Sequence, residues 1–177
     1  MQEIYVEHVG SIIRNKNELQ RELGVTIENK GMNVFVDGDG DKEFIAIKVI
    51  EAMDLGFSID KALSIKNENI IFQILNIRDL TRRTDIARIR GRLIGTDGKT
   101  LKTLDKLTDC FVAVSDNQVG IIGDAEAIKE AIISVTSLVQ GSKQGNVYAR
   151  LEREMKNKRE NPINTKGIKN EMKRKKG

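Results

Sequence analysis

The chain has 177 residues, of which 39% are hydrophobic, 32% are charged and 4% are aromatic, with no Trp. This length allows one large domain or two small ones, and so few aromatic side chains argue against a stacking platform for single-stranded bases. A single Cys, Cys110, and a single His, His8, exclude a disulfide framework and a zinc site made of Cys and His. No apolar run is long enough to span a membrane and no secretion signal opens the chain, so we expect a cytoplasmic protein.

The first 66 residues contain short runs of β-branched residues between segments whose apolar side chains have helical spacing. The predicted elements are, in chain order, a strand at 4–6, helices at 9–13 and 18–23, strands at 25–27 and 34–36, and a helix from about 40 to 53. Lys30 and Gly31 lie between the two later strands, which is typical of a hairpin. Either Asp39 or Asp41 is expected to cap the last helix.

The acidic run from Asp37 to Asp41 resembles the start of a calcium-binding loop. In such a loop the sixth position is Gly and the twelfth is Glu, whereas this chain has Lys42 and Lys48 there. A polar turn before a helix explains the run better, so no metal site is predicted.

The same series of elements recurs 85 residues later. Strands are predicted at 70–75, 111–114 and 119–122, with a turn at Asp116 and Asn117, and a helix capped by Asp124 is predicted at 127–139. The matching positions are Leu19 with Leu104, Val25 with Cys110, Ile27 with Val112, Val34 with Val119, Val36 with Ile121, Gly38 with Gly123, and Asp39 with Asp124. This repeat predicts an α+β fold in which each unit has a three-stranded antiparallel sheet with helices on one face.

Between two predicted helices of the second copy lies the glycine loop, residues 95–98, which reads Gly-Thr-Asp-Gly. An apolar helix ends at Ile94 and another helix begins at Lys99. Two glycines three positions apart allow a sharp turn that exposes backbone N–H groups at the start of the second helix. A phosphate can bind there, with Arg92 and Lys99 as counter-charges.

Positive charge is concentrated at the glycine loop and at the C-terminus. Residues 78–106 hold nine Lys or Arg against four Asp, and residues 150–177 hold eleven Lys or Arg against four Glu, although the whole chain carries only +4. A solvated helix face with an ordinary basic terminus would account for the charge alone. Its coincidence with the glycine loop favours a protein that binds a polyanion.

The second copy, about residues 69–140, resembles a KH domain of the type common in archaea and eukaryotes. Residues 94–100 match the isoleucine-glycine-x-x-glycine signature of that family. The tandem arrangement and residues 145–152 are also similar to archaeal KH-domain rRNA-processing proteins related to the eukaryotic "partner of Nob" factor. This resemblance implies two tandem type I KH domains, at residues 1–66 and 67–145, followed by a helix and a disordered basic tail at 146–177.

The resemblance implies that the second domain holds about four nucleotides of single-stranded RNA between the glycine loop and the strand at 111–114. The expected RNA-binding residues are Arg92, Ile94, Gly95, Thr96, Asp97, Gly98, Lys99 and Lys102. Ile94 and Val112 are candidates for contact with bases, although Val112 is better explained as a core residue.

The first copy lacks the second glycine of the signature. We align Arg14, Asn15, Lys16 and Asn17 with the glycine loop, since an unbroken offset of 85 would instead place residues 10–13 there and interrupt an apolar helix. This degenerate domain is expected to serve as a packing or protein-docking surface, with weak RNA contact as the alternative.

The sequence therefore predicts a non-enzymatic RNA-binding protein without a cofactor, acting on small-subunit rRNA during ribosome assembly and pre-rRNA processing. The resemblance also implies an endonuclease or another assembly factor as a partner. The alternatives are a protein-interaction scaffold, or a general KH protein that binds RNA or single-stranded DNA in RNA turnover or translation.

Overall fold

A computed structural model describes residues 1–160, and the predicted basic tail from residue 161 onward lies outside this range. The first half, residues 1–66, contains these elements: β1 (Gln2–Tyr5), α1 (Val9–Arg14), α2 (Lys16–Leu23), β2 (Thr26–Lys30), β3 (Asn33–Asp37), α3 (Gly40–Asp54) and α4 (Ile59–Leu63). The second half, residues 67–160, contains β4 (Ile70–Asn76), α5 (Ile77–Leu80), α6 (Ile86–Ile94), α7 (Lys99–Thr108), β5 (Phe111–Ser115), β6 (Gln118–Asp124), α8 (Ala127–Val139) and α9 (Gln144–Glu160).

Each half contains one three-stranded antiparallel sheet, in the order β1-β3-β2 and β4-β6-β5. The register places Ile27 opposite Val36 in the first sheet and Val112 opposite Ile121 in the second, so the same face of both sheets presents β-branched residues to the helices. The predicted α+β class with three-stranded antiparallel sheets is confirmed.

Both halves bury the apolar positions that the repeat predicted. Leu19 and Leu104 are fully buried beneath their sheets, and Val34 and Val119 are equally inaccessible. Burial of a side chain of this size stabilises a fold by roughly 1.5–3 kcal/mol, so these matched positions anchor the two cores.

Helix ends use residues that tolerate a left-handed backbone. Gly24 ends α2 with φ +64°, and Asp109 ends α7 with φ +57° at the matching position. Asp124 caps α8 as predicted, because its Oδ1 accepts hydrogen bonds from the N–H groups of Glu126 and Ala127. Asp39 occupies the N-cap position of α3, but its carboxylate binds Lys42 Nζ at 2.9 Å, so the predicted side-chain cap is wrong there.

The second sheet is covered on both faces. Its helices pack on one face, and the segment after α3 packs on the other, where Phe57 meets Phe72 edge-on at 6.2 Å between ring centroids. Ile122 of β6 belongs to the core of the first half. Gly120 leaves room for this contact, since a Cβ there would lie 2.8 Å from the Phe57 ring. The two halves thus share one apolar interface.

No helix within residues 1–160 is both long enough and apolar enough to cross a lipid bilayer.

Candidate nucleic-acid interface

The glycine loop joins α6 to α7 through backbone conformations that few residues adopt. Gly95 has φ +74° and ψ 172°, Asp97 has φ +53°, and Gly98 has φ +72°. The conformation of Gly95 is essentially restricted to glycine. Thr96 and Asp97 are exposed, and within residues 1–160 their N–H groups have no backbone acceptor. The loop therefore presents free main-chain donors at the surface.

The two glycines serve different purposes. A Cβ on Gly95 would lie 2.7 Å from the Thr100 nitrogen, so this residue allows the loop to fold tightly against α7. A Cβ on Gly98 would meet nothing within 4 Å. Gly98 is thus open to the surface, where the absence of a side chain lets a ligand approach the backbone.

The predicted site residues lie on two sides of the loop. Residues four apart share one side of a helix, so Arg90 and Ile94 lie on the side of α6 that faces the turn after β5. Arg90 Nη1 is 3.9 Å from the Asp116 carboxylate in that turn. Ile94 is half-buried and outside the hydrophobic core, which leaves it available to a base. We call this side the inner groove.

The strand β5 packs against both α6 and α7, and the resemblance to KH domains makes it the expected far wall of the inner groove. Val112 is 6% exposed and belongs to the core, as its sequence pattern favoured. Its N–H donates to Asp105 Oδ1 at 2.8 Å, which fixes α7 to the strand. Lys102 is exposed on α7.

Arg88 and Arg92 lie on the opposite side of α6, which we call the outer side. Arg92 Nη2 donates to the Ser142 carbonyl at 2.9 Å, so this predicted phosphate ligand is half-buried against the segment before α9. Gln144 Nε2 donates to the Arg92 carbonyl at 3.2 Å and to Thr100 Oγ1 at 3.1 Å. The start of α9 is therefore tied to both helices that flank the loop.

A cavity of about 650 Å³ lies on this outer side. It is lined by Arg88, Gly91, Arg92, Gly95, Thr96, Lys99, Thr100, Thr103, Gln144 and Tyr148. Three of these side chains are cationic and none is acidic. The predicted residues Arg92, Gly95, Thr96 and Lys99 thus border the outer cavity, which the sequence did not indicate.

Sequence reasoning also missed Arg88, Gln144 and Tyr148. The spacing of Arg88 and Arg92, four apart on one helix, was a signal that their charges lie together. Gln144 and Tyr148 carried no such signal, because they reach the loop from more than forty residues away along the chain.

The counterpart of the loop in the first half is closed on itself. Only Asn15 separates α1 from α2, and its Nδ2 donates to the Ser11 carbonyl at 2.7 Å. The alternative alignment through residues 10–13 is wrong, because these residues lie inside α1 and Ile12 is buried. α2 is shorter than α7, as predicted, although it begins at Lys16 and not at Glu18.

Two ionisable groups in the second half have shifted pKa values. A hydrogen bond from Arg83 lowers the pKa of Asp85, which keeps that carboxylate charged at the start of α6. Burial raises the pKa of Cys110 to about 11, so its thiol is protonated at neutral pH and a poor nucleophile. Within residues 1–160, no group of three His, Cys, Asp or Glu side chains is arranged to hold a metal ion.

Comparison with known proteins finds the same kind of domain. A model of the eukaryotic-type KH domain (type I), the second such domain of PNO1, matches residues 71–156. A KH domain-containing protein of Methanocaldococcus jannaschii is 29% identical over 159 residues, which are 84% of this chain and 70% of that protein. The pre-rRNA-processing protein PNO1 of Saccharomyces cerevisiae is 30% identical over 105 residues, which are 58% of this chain but only 38% of PNO1.

Solved structures extend the similarity to the first half. Dim2p of Pyrococcus horikoshii superimposes with a TM-score of 0.77 at 27% identity, covering 86% of this chain and 99% of Dim2p. Dim2p from the same organism, in a complex with a/eIF2α and rRNA, superimposes with a TM-score of 0.80 at 25% identity, covering 88% of this chain and 94% of that chain.

Proposed function

Because this chain is similar to KH-domain proteins that include archaeal Dim2p and eukaryotic PNO1, we propose that it binds single-stranded rRNA through the glycine loop during small-subunit pre-rRNA processing. The resemblance that the sequence indicated is thereby confirmed. The observation that carries the proposal is the exposed turn at residues 95–98, with free N–H groups beside exposed Lys99 and Lys102.

The mechanism follows from the chemistry of the loop. The N–H groups of Thr96 and Asp97 donate to phosphate oxygens, and Lys102 neutralises charge from the inner side. These contacts fix the strand without reading its sequence, while Ile94 and the wall formed by β5 contact the bases. Asp97 is exposed, so its carboxylate can stay hydrated when a strand binds the loop.

We further propose that residues 1–66 and 67–145 are two tandem KH domains, of which the first has lost its RNA-binding loop. The shared strand order and matched core positions support this division. The same proposal includes a non-enzymatic, cytoplasmic role without a cofactor, since the loop binds a polymer and contains no nucleophile matched to a base.

The proposed function is tested by placing a second carboxylate in the phosphate path. Thr96→Asp puts two like charges side by side, and we expect the affinity for a single-stranded rRNA oligonucleotide to fall by roughly 100-fold or more, the scale of removing several charge-assisted hydrogen bonds. Asn15→Asp in the first half is the matched control and should leave the affinity unchanged. Fluorescence anisotropy measures both, with circular dichroism to verify folding. Equal affinity of the Thr96→Asp variant and the wild type would contradict the proposal.

A scaffold role is the second candidate, and the surface of the first half favours it. Tyr5, Ile13, Met32 and Phe44 are large apolar side chains there that are between 46% and 62% exposed. Tyr5 and Met32 are in contact, since the Tyr5 hydroxyl lies 3.0 Å from Met32 Sδ, and adjoining exposed apolar side chains are what a protein-docking patch requires. Phe44→Ser should reduce co-purification of an assembly-factor partner, such as the predicted endonuclease, without changing RNA affinity.

A further inference from the structure

We propose that the outer cavity is a second RNA subsite, which takes the nucleotide that flanks the four in the inner groove. This inference rests on the proposed function, because it requires a single strand that already crosses the glycine loop. The ligand class is a nucleotide of that same strand, with its phosphate on the cationic wall and its base against an aromatic ring.

The cavity adjoins the loop directly. Gly95 and Thr96 form its edge toward the inner groove, and Lys99 lies beside them at the start of α7. A strand that follows the free N–H groups of the loop therefore passes from the inner groove to the cavity without leaving the surface. The inner and outer sides are two consecutive sections of one path.

The charge of the cavity suits a phosphate. The side chains of Arg88 and Lys99 are exposed and form no salt bridge within residues 1–160. Arg92 is held in the wall by its bond to the Ser142 carbonyl. No carboxylate lines the cavity, although Arg88 is close enough to Asp85, outside the lining, to lower the pKa of that carboxyl. A phosphate in the cavity would supply the negative charge that Arg92 and Lys99 lack there.

The far wall of the cavity suits a base. Tyr148 of α9 is half-buried, so its ring is held by the core while one part faces the cavity. Aromatic rings stack on bases of any identity. Gln144 beside it carries an amide that can bond a base edge, although its Nε2 already serves Arg92 and Thr100.

Gly91 gives a clean way to block the cavity. It lines the cavity from the middle of α6, and a Cβ there would meet nothing within 4 Å. Gly91→Glu therefore places a carboxylate in the cavity without a clash, and Gly91→Ala is the matched control. Gly91 lies outside the glycine loop but within one turn of Ile94 on α6, so a four-nucleotide RNA that fills only the inner groove is needed to show that this groove remains intact in both variants.

The experiment uses the full chain and two fluorescein-labelled RNAs from the 3′ region of small-subunit rRNA, one of eight nucleotides and one with only its central four. Gly91→Glu should weaken binding of the eight-nucleotide RNA about tenfold and reduce its salt slope by about 0.7 for each phosphate that is no longer neutralised. Binding of the four-nucleotide RNA should not change. Gly91→Ala should match the wild type on both RNAs.

Four outcomes would overturn the inference. Equal weakening of both RNAs by Gly91→Glu would mean that the loop itself is disturbed, and no weakening of either would mean that RNA does not enter the cavity. Binding of free AMP that is abolished in Gly91→Glu, with unchanged eight-nucleotide affinity, would make the cavity a mononucleotide site instead. If the wild type binds neither RNA, the proposed function fails first and this inference fails with it.

Discussion

The two halves of the molecule share a framework and differ at one junction. In the first half Gln20 Oε1 accepts from the Ile27 N–H at 2.8 Å, and in the second half Asp105 Oδ1 accepts from the Val112 N–H at 2.8 Å, 85 residues further on. The helices that these bonds fix are joined by a single Asn15 in one half and by the four-residue glycine loop in the other.

The sheet, the core and the helix-to-strand hydrogen bond therefore do not depend on the glycine loop. The first half keeps its sheet, its core and its helix-to-strand bond although its junction is closed by the Asn15 side chain. A unit with this strand order can thus lack the glycine loop and still keep its core packing. Substitutions at the interface and at matched positions test whether the two halves unfold separately and whether their matched contacts contribute equally to stability.

Phe57→Ala tests whether the halves are separate at all. Phe57 is 5% exposed at the shared interface, and its loss should destabilise the protein by about 3–5 kcal/mol, the usual cost of truncating a buried Phe. Chemical denaturation should still show one transition, because the interface joins the core of the first half to the sheet of the second half. The exposed Phe44→Ala is the control and should change stability by no more than about 0.5 kcal/mol. A first unfolding transition that leaves the second half folded would show that the two halves are independent folding units.

Gly95→Ala tests the junction of the second half. A Cβ there meets Thr100 and forces a backbone region that only glycine adopts, so we expect a loss of roughly 3 kcal/mol. Gly98→Ala is the matched variant, with an unobstructed left-handed backbone that should cost about 1–2 kcal/mol. Thermal unfolding of the two variants gives the difference. Equal losses would show that the tight packing of Gly95 on α7 is unimportant.

Gln20→Ala and Asp105→Ala test the equivalent bonds. Each leaves a strand N–H without its acceptor, and each should cost about 1–3 kcal/mol. Asp105→Asn keeps an acceptor, as Gln20 does, and should remain within about 1 kcal/mol of the wild type at pH 7 because the ion pair with Lys61 is partly exposed. Urea denaturation measures all three variants, and an unchanged stability of either Ala variant would show that its bond does not fix the helix to the strand.

The pH dependence separates the two bonds further. Burial raises the pKa of Asp105 above its ordinary value of 3.8, so its charged form opposes folding once the pH rises through the interval between the unfolded and folded pKa values. Relative to the wild type, Asp105→Asn should therefore be more stable at pH 7 than at pH 3. Urea denaturation at both values measures this, and a difference of the opposite sign would contradict the burial argument.

Cys110→Val is the smallest change, because it gives the second half the residue of the first half at the matching position, Val25. Cys110 is 3% exposed, and we expect a change in stability within about 1 kcal/mol. The wild-type thiol should also resist alkylation at neutral pH, since its pKa is about 11. Rapid labelling of the folded protein by iodoacetamide would show that this core is more open than its counterpart.

The repeat and the glycine loop were predictable because their signals are local. Alternating β-branched residues, apolar helical spacing and the paired glycines each lie within a few residues of one another. The boundaries were less accurate, as α9 begins at Gln144 and the predicted helix began at 146. α4 and α5 were not predicted, since each is only one turn long.

The rest depended on contacts between distant residues. Nothing in the sequence around Phe57 indicates that it packs against Phe72 on the other sheet. Arg92 was expected to face a phosphate freely, but its partner, Ser142, lies 50 positions away and is not marked by any motif. Lys102, by contrast, is exposed and Ile94 is half-buried, and contact of either residue with RNA stays a prediction.

The amide of Gln144 couples the position of α9 to the conformation of the glycine loop. Arg150 anchors that helix to Glu130 and Ser134 at 2.7 Å each, and Gln144 holds the ends of α6 and α7 at its other end. Any molecule that pulls α9 away must break the hydrogen bonds of Gln144 and loosen the glycine loop, the proposed RNA-binding site. If displacing α9 lowers the affinity for RNA, then bound RNA must oppose displacement of α9 by the same factor. Release of RNA and displacement of the helix are thus two sides of one linked equilibrium.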